Sequence, residues 1–363
     1  MANAILALSS WRWAIKSRNP RTTFRANLSY QQRPDYERTR SFGSLSYRWS
    51  ETDDKQWTVS PLEVSLIKIF KSEQFENQLQ QIGDLFLINS FQDHFITASR
   101  VAFTYNTQRP GSRKRNSHYY RGELESAGSL LRGAYRLFDA PADEEGNYEI
   151  LDINFAQYLK TTHDFRFYRN HNEKMSTAYR ITAGVGLPLN NLNVMPFEKS
   201  FFGGGANDIR AWEARTLGPG SYRDPERNFD KIGDILLEAN VEYRFALISF
   251  LEGALFVDAG NIWTMNPDPA RPGADFEFDR FLSEIAAGAG FGLRFNFDFF
   301  IVRLDAGLQV RDPSLDLGER WLFQPKDKYN AYIEGLNAER PSNRQLEQYR
   351  SRWNLNLGIG YPF

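Results

Sequence analysis

The chain contains no cysteine, which excludes disulfide staples and thiolate metal sites and fits a protein of the cell envelope. Its four histidines, His94, His118, His163 and His171, are scattered without the spacing of a metal-ligand set. No metal or other cofactor is expected. A formal net charge of -1 argues against the basic footprint of a nucleic-acid-binding protein. Nowhere do about 18 apolar residues run together, so no segment can span a bilayer as a helix. A mean hydropathy of -0.54 gives a soluble appearance. Membrane strands, however, carry lipid-facing residues only at every second position and average to polar. The first residues, Met1–Ser10, lack a basic segment and run directly into Trp11-Arg12-Trp13. They read as the end of a strand already under way rather than as a signal peptide.

Aromatic residues are abundant: 29 Phe, 17 Tyr and 8 Trp make 15% of the chain. Aromatic girdles at the two membrane interfaces would use them. A large soluble β-protein with an aromatic core would fit the composition equally well, so composition leaves the question open. The order of residues separates the two. At the C-terminus Trp353, Leu355, Leu357, Ile359, Tyr361 and Phe363 share one face of a strand, and Asn354, Asn356, Gly358 and Gly360 share the other. An apolar outside, a polar or empty inside and a terminal Phe suit the closing strand of an outer-membrane β-barrel.

The same alternation recurs upstream. In 233–246 Ala239, Val241 and Tyr243 oppose Glu238, Asn240, Glu242 and Arg244; in 249–260 Leu255 and Val257 oppose Phe256 and Asp258. In 284–297 Phe291, Leu293 and Phe295 oppose Gly288, Gly290, Gly292 and Arg294, and in 301–311 Leu304 and Leu308 oppose Arg303, Asp305 and Gln309. Charges of both signs on one face of long successive strands describe a polar lumen. Further strands are expected near 22–32, 41–50, 58–69, 94–106, 119–136, 148–162 and 177–188, with a stub near 4–14. The fold class is therefore all-β, a transmembrane antiparallel barrel of about twelve or thirteen strands. Short joints near 246–249 and 297–300 alternate with long ones at 189–232, 260–283 and 311–351, the pattern of periplasmic turns and extracellular loops. The C-terminus would then be periplasmic. Residues 71–90 place Phe75, Leu79, Ile82, Leu85 and Phe86 at helical spacing, which predicts a short amphipathic helix across the barrel mouth; an irregular strand is the alternative. The basic run Arg113-Lys114-Arg115 beside Pro110-Gly111 reads as a solvated turn.

Within the surface loop 189–232, Gly203, Gly204 and Gly205 precede Ile209, Arg210, Ala211 and Trp212, and Leu217-Gly218-Pro219 follows. A phosphate-cradling loop is excluded because no Lys-Ser/Thr pair and no helix follow the glycines. Glu242 and Asp258 could suggest a two-carboxylate hydrolase, but their place in the strand motifs Asn240–Arg244 and Phe256–Gly260 favours a structural anchor. No Ser/His/Asp arrangement shares one face, which weighs against an outer-membrane phospholipase. The loop pattern resembles the sixth surface loop of the outer-membrane protein assembly factors, the BamA/TamA-like barrels of bacterial surface antigen type. Gly233-Asp234 with Asn240, Glu242 and Arg244 is similar to that family's twelfth-strand motif, and Phe256, Asp258 and Gly260 to its thirteenth. Arg33–Arg38 and Pro61–Val64 resemble the TamA-like branch found in Bacteroidetes.

The resemblance implies a loop folded into the lumen, with Arg210 docked on Asp258, Glu242 or both. It implies no enzymatic activity and no ATP, and insertion or export of envelope proteins through a lateral gate. Trp353, Gly358, Gly360, Tyr361 and Phe363 would form the closing side of that gate, the glycines loosening its last strand. The family has Gly where this chain has Ala211; if that position needs a positive φ, Ala costs about 1–2 kcal/mol. With about sixteen strands in the family and about twelve here, the resemblance implies that residues 1–363 are a C-terminal barrel domain lacking its first strands and the periplasmic POTRA domains. A genuinely small barrel is the alternative. Implied partners are outer-membrane lipids, unfolded barrel or secreted clients, and periplasmic or lipoprotein accessory subunits. A two-partner-type secretion pore, a passive porin or a barrel enzyme are the rival functions.

Overall fold

The computed structural model describes residues 18–109, 114–138, 148–150, 153–190, 192, 194–223, 230–297, 299–323, 325–338 and 352–363. The expected stub near 4–14 and the Pro110–Arg113 part of the basic turn lie outside them. The elements in order are β1 (Arg18–Gln32), β2 (Tyr36–Ser50), β3 (Lys55–Lys71), α1 (Glu73–Ile82), α2 (Leu85–Ser90), β4 (His94–Asn106) and β5 (Asn116–Ala127). Then come α3 (Ser129–Leu137), a small hairpin β6–β7 (Glu149–Ile150, Ile153–Asn154), β8 (Tyr158–Asn170) and β9 (Met175–Pro188). The last third holds β10 (Ile235–Ile248), β11 (Leu251–Trp263), β12 (Ala286–Asn296), β13 (Ile301–Arg311), α4 (Lys326–Asn337) and β14 (Trp353–Ile359). All strands except the hairpin form one 12-stranded sheet in chain order, from β1 at one end to β14 at the other.

From β2 onward alternate connections differ in length: those at 51–54, 107–115, 171–174, 249–250 and 297–300 are the shorter, whereas those at 72–93, 128–157, 189–234, 264–285 and 312–352 are long. The β1–β2 joint at 33–35 is also tight. The sheet turns its apolar side outward: Leu355, Leu357 and Ile359 are 80%, 71% and 81% exposed, and Leu255, Val257 and Phe291 are also exposed, while Glu242, Asp258 and Arg294 are fully buried. A water-soluble sheet would do the reverse. No helix among the described residues is long and apolar enough to cross a membrane.

The chain divides into two compact units: one comprises the described residues of 1–110, 118–164 and 184–200, the other those of 111–117, 165–183 and 201–363. In the first, Phe75, Leu79, Phe86 and Ile96 are buried. Phe91 meets the Tyr36 and Phe75 rings at 4.9 Å each. The expected single helix over 71–90 is two helices. Gly83, at φ +67°, ends α1, and the Asp84 side chain accepts from Leu87 N at 3.0 Å to cap α2. In the second unit, strands β10–β14 bury one face against the chain from Phe201 to Ser221, which contributes Ile209, Ala211, Trp212 and Leu217 to a small apolar core with Ala286.

Three expected boundaries move. The strand placed at 119–136 ends at Ala127, and Ser129–Leu137 is helix α3, because Leu130, Ala134 and Leu137 recur at helical rather than alternate spacing. The strand placed at 148–162 is the β6–β7 hairpin followed by β8 from Tyr158; between them Ala156 N donates to Phe95 O at 2.9 Å, so this segment follows β4 before the sheet resumes. The closing strand ends at Ile359 rather than at Phe363. Gly360 adopts φ +81° and turns the chain, and Phe363 is buried instead of facing outward.

Candidate functional site

The site is built from inward-facing residues of five strands in register, β10 to β14. Asn240 on β10 opposes Asp258 on β11, and Asp258 opposes Gly288 on β12. One step along, Glu242 opposes Phe256, which opposes Gly290, Gly307 and then Asn354 on β14. The next row is Arg244, Ala254, Gly292, Asp305 and Asn356, and the last carries Arg294, Arg303 and Gly358. Bare glycines thus alternate with charged side chains across the wall, and the space they leave admits a backbone.

That backbone is the loop carrying Arg210. Gly204 and Gly205 adopt φ +87° and +113°, a region closed to β-branched residues, and reverse the chain. Gly203 pairs with Leu217, and Gly205 N donates to Trp212 O at 2.9 Å. The turn drives Arg210 to the wall. Ile209 packs beside Gly260, where an added Cβ would come 3.1 Å from Ile209 Cδ1. Ala211 is not among the described non-glycine residues with positive φ, so the strain conditional on that geometry does not arise. Its methyl occupies the space over Gly288, and a Cβ at Gly307 would fall 2.7 Å from the Arg210 carbonyl oxygen.

Arg210 is completely buried. Its Nε and Nη2 each donate at 2.9 Å to the two carboxylate oxygens of Asp258, and its backbone N–H donates to the same group at 3.1 Å. Nη1 donates to Glu242, and Asp305 Oδ2 lies 3.8 Å from it. The guanidinium stacks over Phe256 at 3.5 Å from the ring centre. Such a planar, forked pairing is available to Arg and not to Lys. Asn240 Nδ2 donates to Asp258 at 3.0 Å and to the Asp208 carbonyl at 2.8 Å, fixing the carboxylate and the loop together.

Around this pair lies a wider cage. Arg244 Nε donates to Glu242 at 2.7 Å and Arg294 Nη2 to Glu242 at 2.9 Å. Arg294 also donates to Asp305, which accepts from Arg303 at 3.3 Å, while Arg303 reaches the Asn207 side chain. Arg294 and Arg303 face each other across β12 and β13, an unfavourable like-charge pair that Asp305 bridges. In a water-poor interior each of these charges depends on its partners.

The Omp85 superfamily domain matches residues 15–325 of this sequence. The chain belongs to the Omp85 superfamily. Among solved structures it is similar to BamA from Haemophilus ducreyi lacking POTRA domains 1-3, with 12% identity and a TM-score of 0.55 over 94% of this chain and 59% of that one. It is also similar to CdiB from Escherichia coli, with 12% identity and a TM-score of 0.46 over 80% of this chain and 46% of that one. At this identity the BamA likeness shows the fold, an outer-membrane β-barrel. The chain spans 59% of the length of that BamA structure. No match is found among curated proteins.

In this Omp85 barrel the closing strand meets the loop directly. Asn354 and Asn356 donate their side-chain N–H groups to the Arg210 carbonyl at 3.0 and 2.9 Å. Phe363 accepts from Arg244 at 3.2 Å through its carbonyl, and its ring centre lies 6.0 Å from the Arg210 guanidinium. Arg244 also stacks on Tyr361 at 4.2 Å, and Tyr361 donates to Glu252 at 2.8 Å. Trp353 is exposed and meets the Phe291 ring edge-on. The two glycines of the closing strand meet different needs. An added Cβ at Gly358 would fall 2.9 Å from the Arg303 guanidinium carbon, whereas Gly360 supplies the turn.

Sequence reasoning left Arg294, Arg303, Asp305, Asn207 and Gly307 unassigned to the site. Inward parity was a signal for the strand residues, but which of them lie in one row depends on inter-strand register.

Proposed function

We propose that this chain is the membrane-embedded barrel of a factor that inserts or exports envelope proteins without an enzymatic step or ATP. A lumen loop, docked through Arg210, would brace the sheet beside the closing strand. The observation that carries this reading is the Arg210 carbonyl shared by Asn354 and Asn356 while its guanidinium is held by Asp258 and Glu242. One loop residue thereby joins the inner wall to the terminal strand. The terminal strand β14, at one end of the sheet, would guide a client strand by edge pairing, with the C-terminus on the periplasmic side. Outer-membrane lipid surrounds such a barrel, and periplasmic or lipoprotein subunits would deliver clients.

The test is client insertion by the protein in proteoliposomes. A urea-unfolded outer-membrane barrel should fold faster than in empty vesicles, and Arg210→Ala should lose that acceleration while Arg215→Ala keeps it. Equal rates in protein-containing and empty vesicles would remove the reading. Steady conductance without client insertion would favour a porin, and lipid hydrolysis an enzyme.

A further inference from the structure

Helix α3 has one face anchored and one face open. On the anchored side Arg132 donates to the Gln157 side chain at 2.9 Å, Tyr135 Oη donates to the Glu149 carbonyl at 3.0 Å, and the Tyr135 ring meets Tyr148 at 5.0 Å. No residue of the helix is buried, and the other edge leaves Leu130, Leu137 and Phe138 at 69%, 78% and 79% exposure.

The start of the helix fixes which side of the sheet that edge belongs to. Along β5, Leu124 is exposed and pairs with exposed Val101, so this parity faces lipid, whereas Glu125 is buried on the opposite face. Ser126 shares the parity of Leu124, and its hydroxyl is 2.7 Å from that of Ser129, the first residue of α3. The helix therefore begins on the lipid-facing side, at the end of a membrane strand. Its composition agrees with that position: between Glu125 and Asp139 the chain carries two arginines and no carboxylate. Short helices with Leu and Phe on one edge and Arg on the other lie in the plane of the bilayer interface, buried roughly 5–10 Å into the headgroup and acyl boundary.

We propose that α3 is a bilayer-surface anchor in which Leu130, Leu137 and Phe138 enter the outer-leaflet boundary and Arg136 meets lipid phosphate. The proposal rests on the outer-membrane barrel reading and is separable from it.

Because the chain has no cysteine, single labels can be placed cleanly. Leu137→Cys, Leu124→Cys and Asn172→Cys, each carrying a small fluorophore, are reconstituted in phosphatidylcholine vesicles with and without phosphatidylglycerol. Doxyl lipids quench from within the bilayer and iodide from water. The label at 137 should be quenched by doxyl placed near the headgroup, more than by doxyl deep in the chains, and lose most of its iodide quenching. Phosphatidylglycerol should strengthen that protection, and Arg136→Gln should abolish the difference. The label at 124 should respond to deep doxyl, and that at 172 to iodide alone. If 137 behaves like 172 while 124 stays lipid-quenched, the anchor is wrong and the barrel stands. If 124 also escapes lipid quenching, the barrel reading fails with it. A label at 137 shielded from both quenchers would mean a protein occupant and overturn the proposal.

Discussion

Arg210 has exchanged all its water for carboxylates, a ring face and the amide side chains that hold its carbonyl. Removing one partner of such a buried set costs more than the set contributes, because the remaining charges stay buried without compensation. Arg210→Ala should therefore destabilise the protein by about 3–5 kcal/mol, read as a lower temperature for loss of the folded band in unboiled gel electrophoresis. Arg210→Lys should recover little of this, since an ammonium cannot bridge both oxygens of Asp258 while reaching Glu242. An unchanged unfolding temperature in Arg210→Ala would show that the cage is energetically idle. Space is the second requirement at this scale. Gly307→Ala would press a methyl against the Arg210 carbonyl, whereas Gly318 has open surroundings. The loop 201–217 should become protease-sensitive in Gly307→Ala and stay protected in Gly318→Ala.

At the scale of elements, the behaviour of β14 depends on something outside its own ladder. It pairs with β13 from Trp353 to Ile359, and its inward asparagines are committed to the loop. Replacing both Asn354 and Asn356 by Ala removes two donors from the Arg210 carbonyl without touching the ladder. Amide hydrogen exchange should then rise in β14 and in 208–212 together, with β12 unchanged; exchange confined to the loop would show that strand and loop are uncoupled. The helices follow local rules. Asp84→Ala deletes the cap of α2 and should cost about 1 kcal/mol. The alternation that places Glu242 and Asp258 on the inward face is visible in their own strands. The end of β14 is not, because alternation continues on paper through Tyr361 to Phe363, and only the turn at Gly360 and the contact with Arg244 take Phe363 inside.

For the whole molecule the inverted burial pattern makes a further prediction. Val257 faces outward at mid-strand, and Arg there would meet hydrocarbon at a cost of roughly 2–4 kcal/mol. Equilibrium folding of Val257→Arg into vesicles should require correspondingly less urea to reverse, and the same substitution at Asn172 in a tight turn should change little. If Val257→Arg folds as well as the parent, that face does not see lipid. The sequence by itself determined the strand periodicity, the inward side of strands β10 to β13, the loop and strand motifs and the family, because each depends on residue identity within one segment. It also placed helical spacing at 71–90. Only the tertiary structure decided that Asp305 bridges Arg294 and Arg303 and that Gly288 and Gly307 make room for the loop. Those outcomes depend on inter-strand register and on what packs against each segment, and neither is encoded in the period of a single strand.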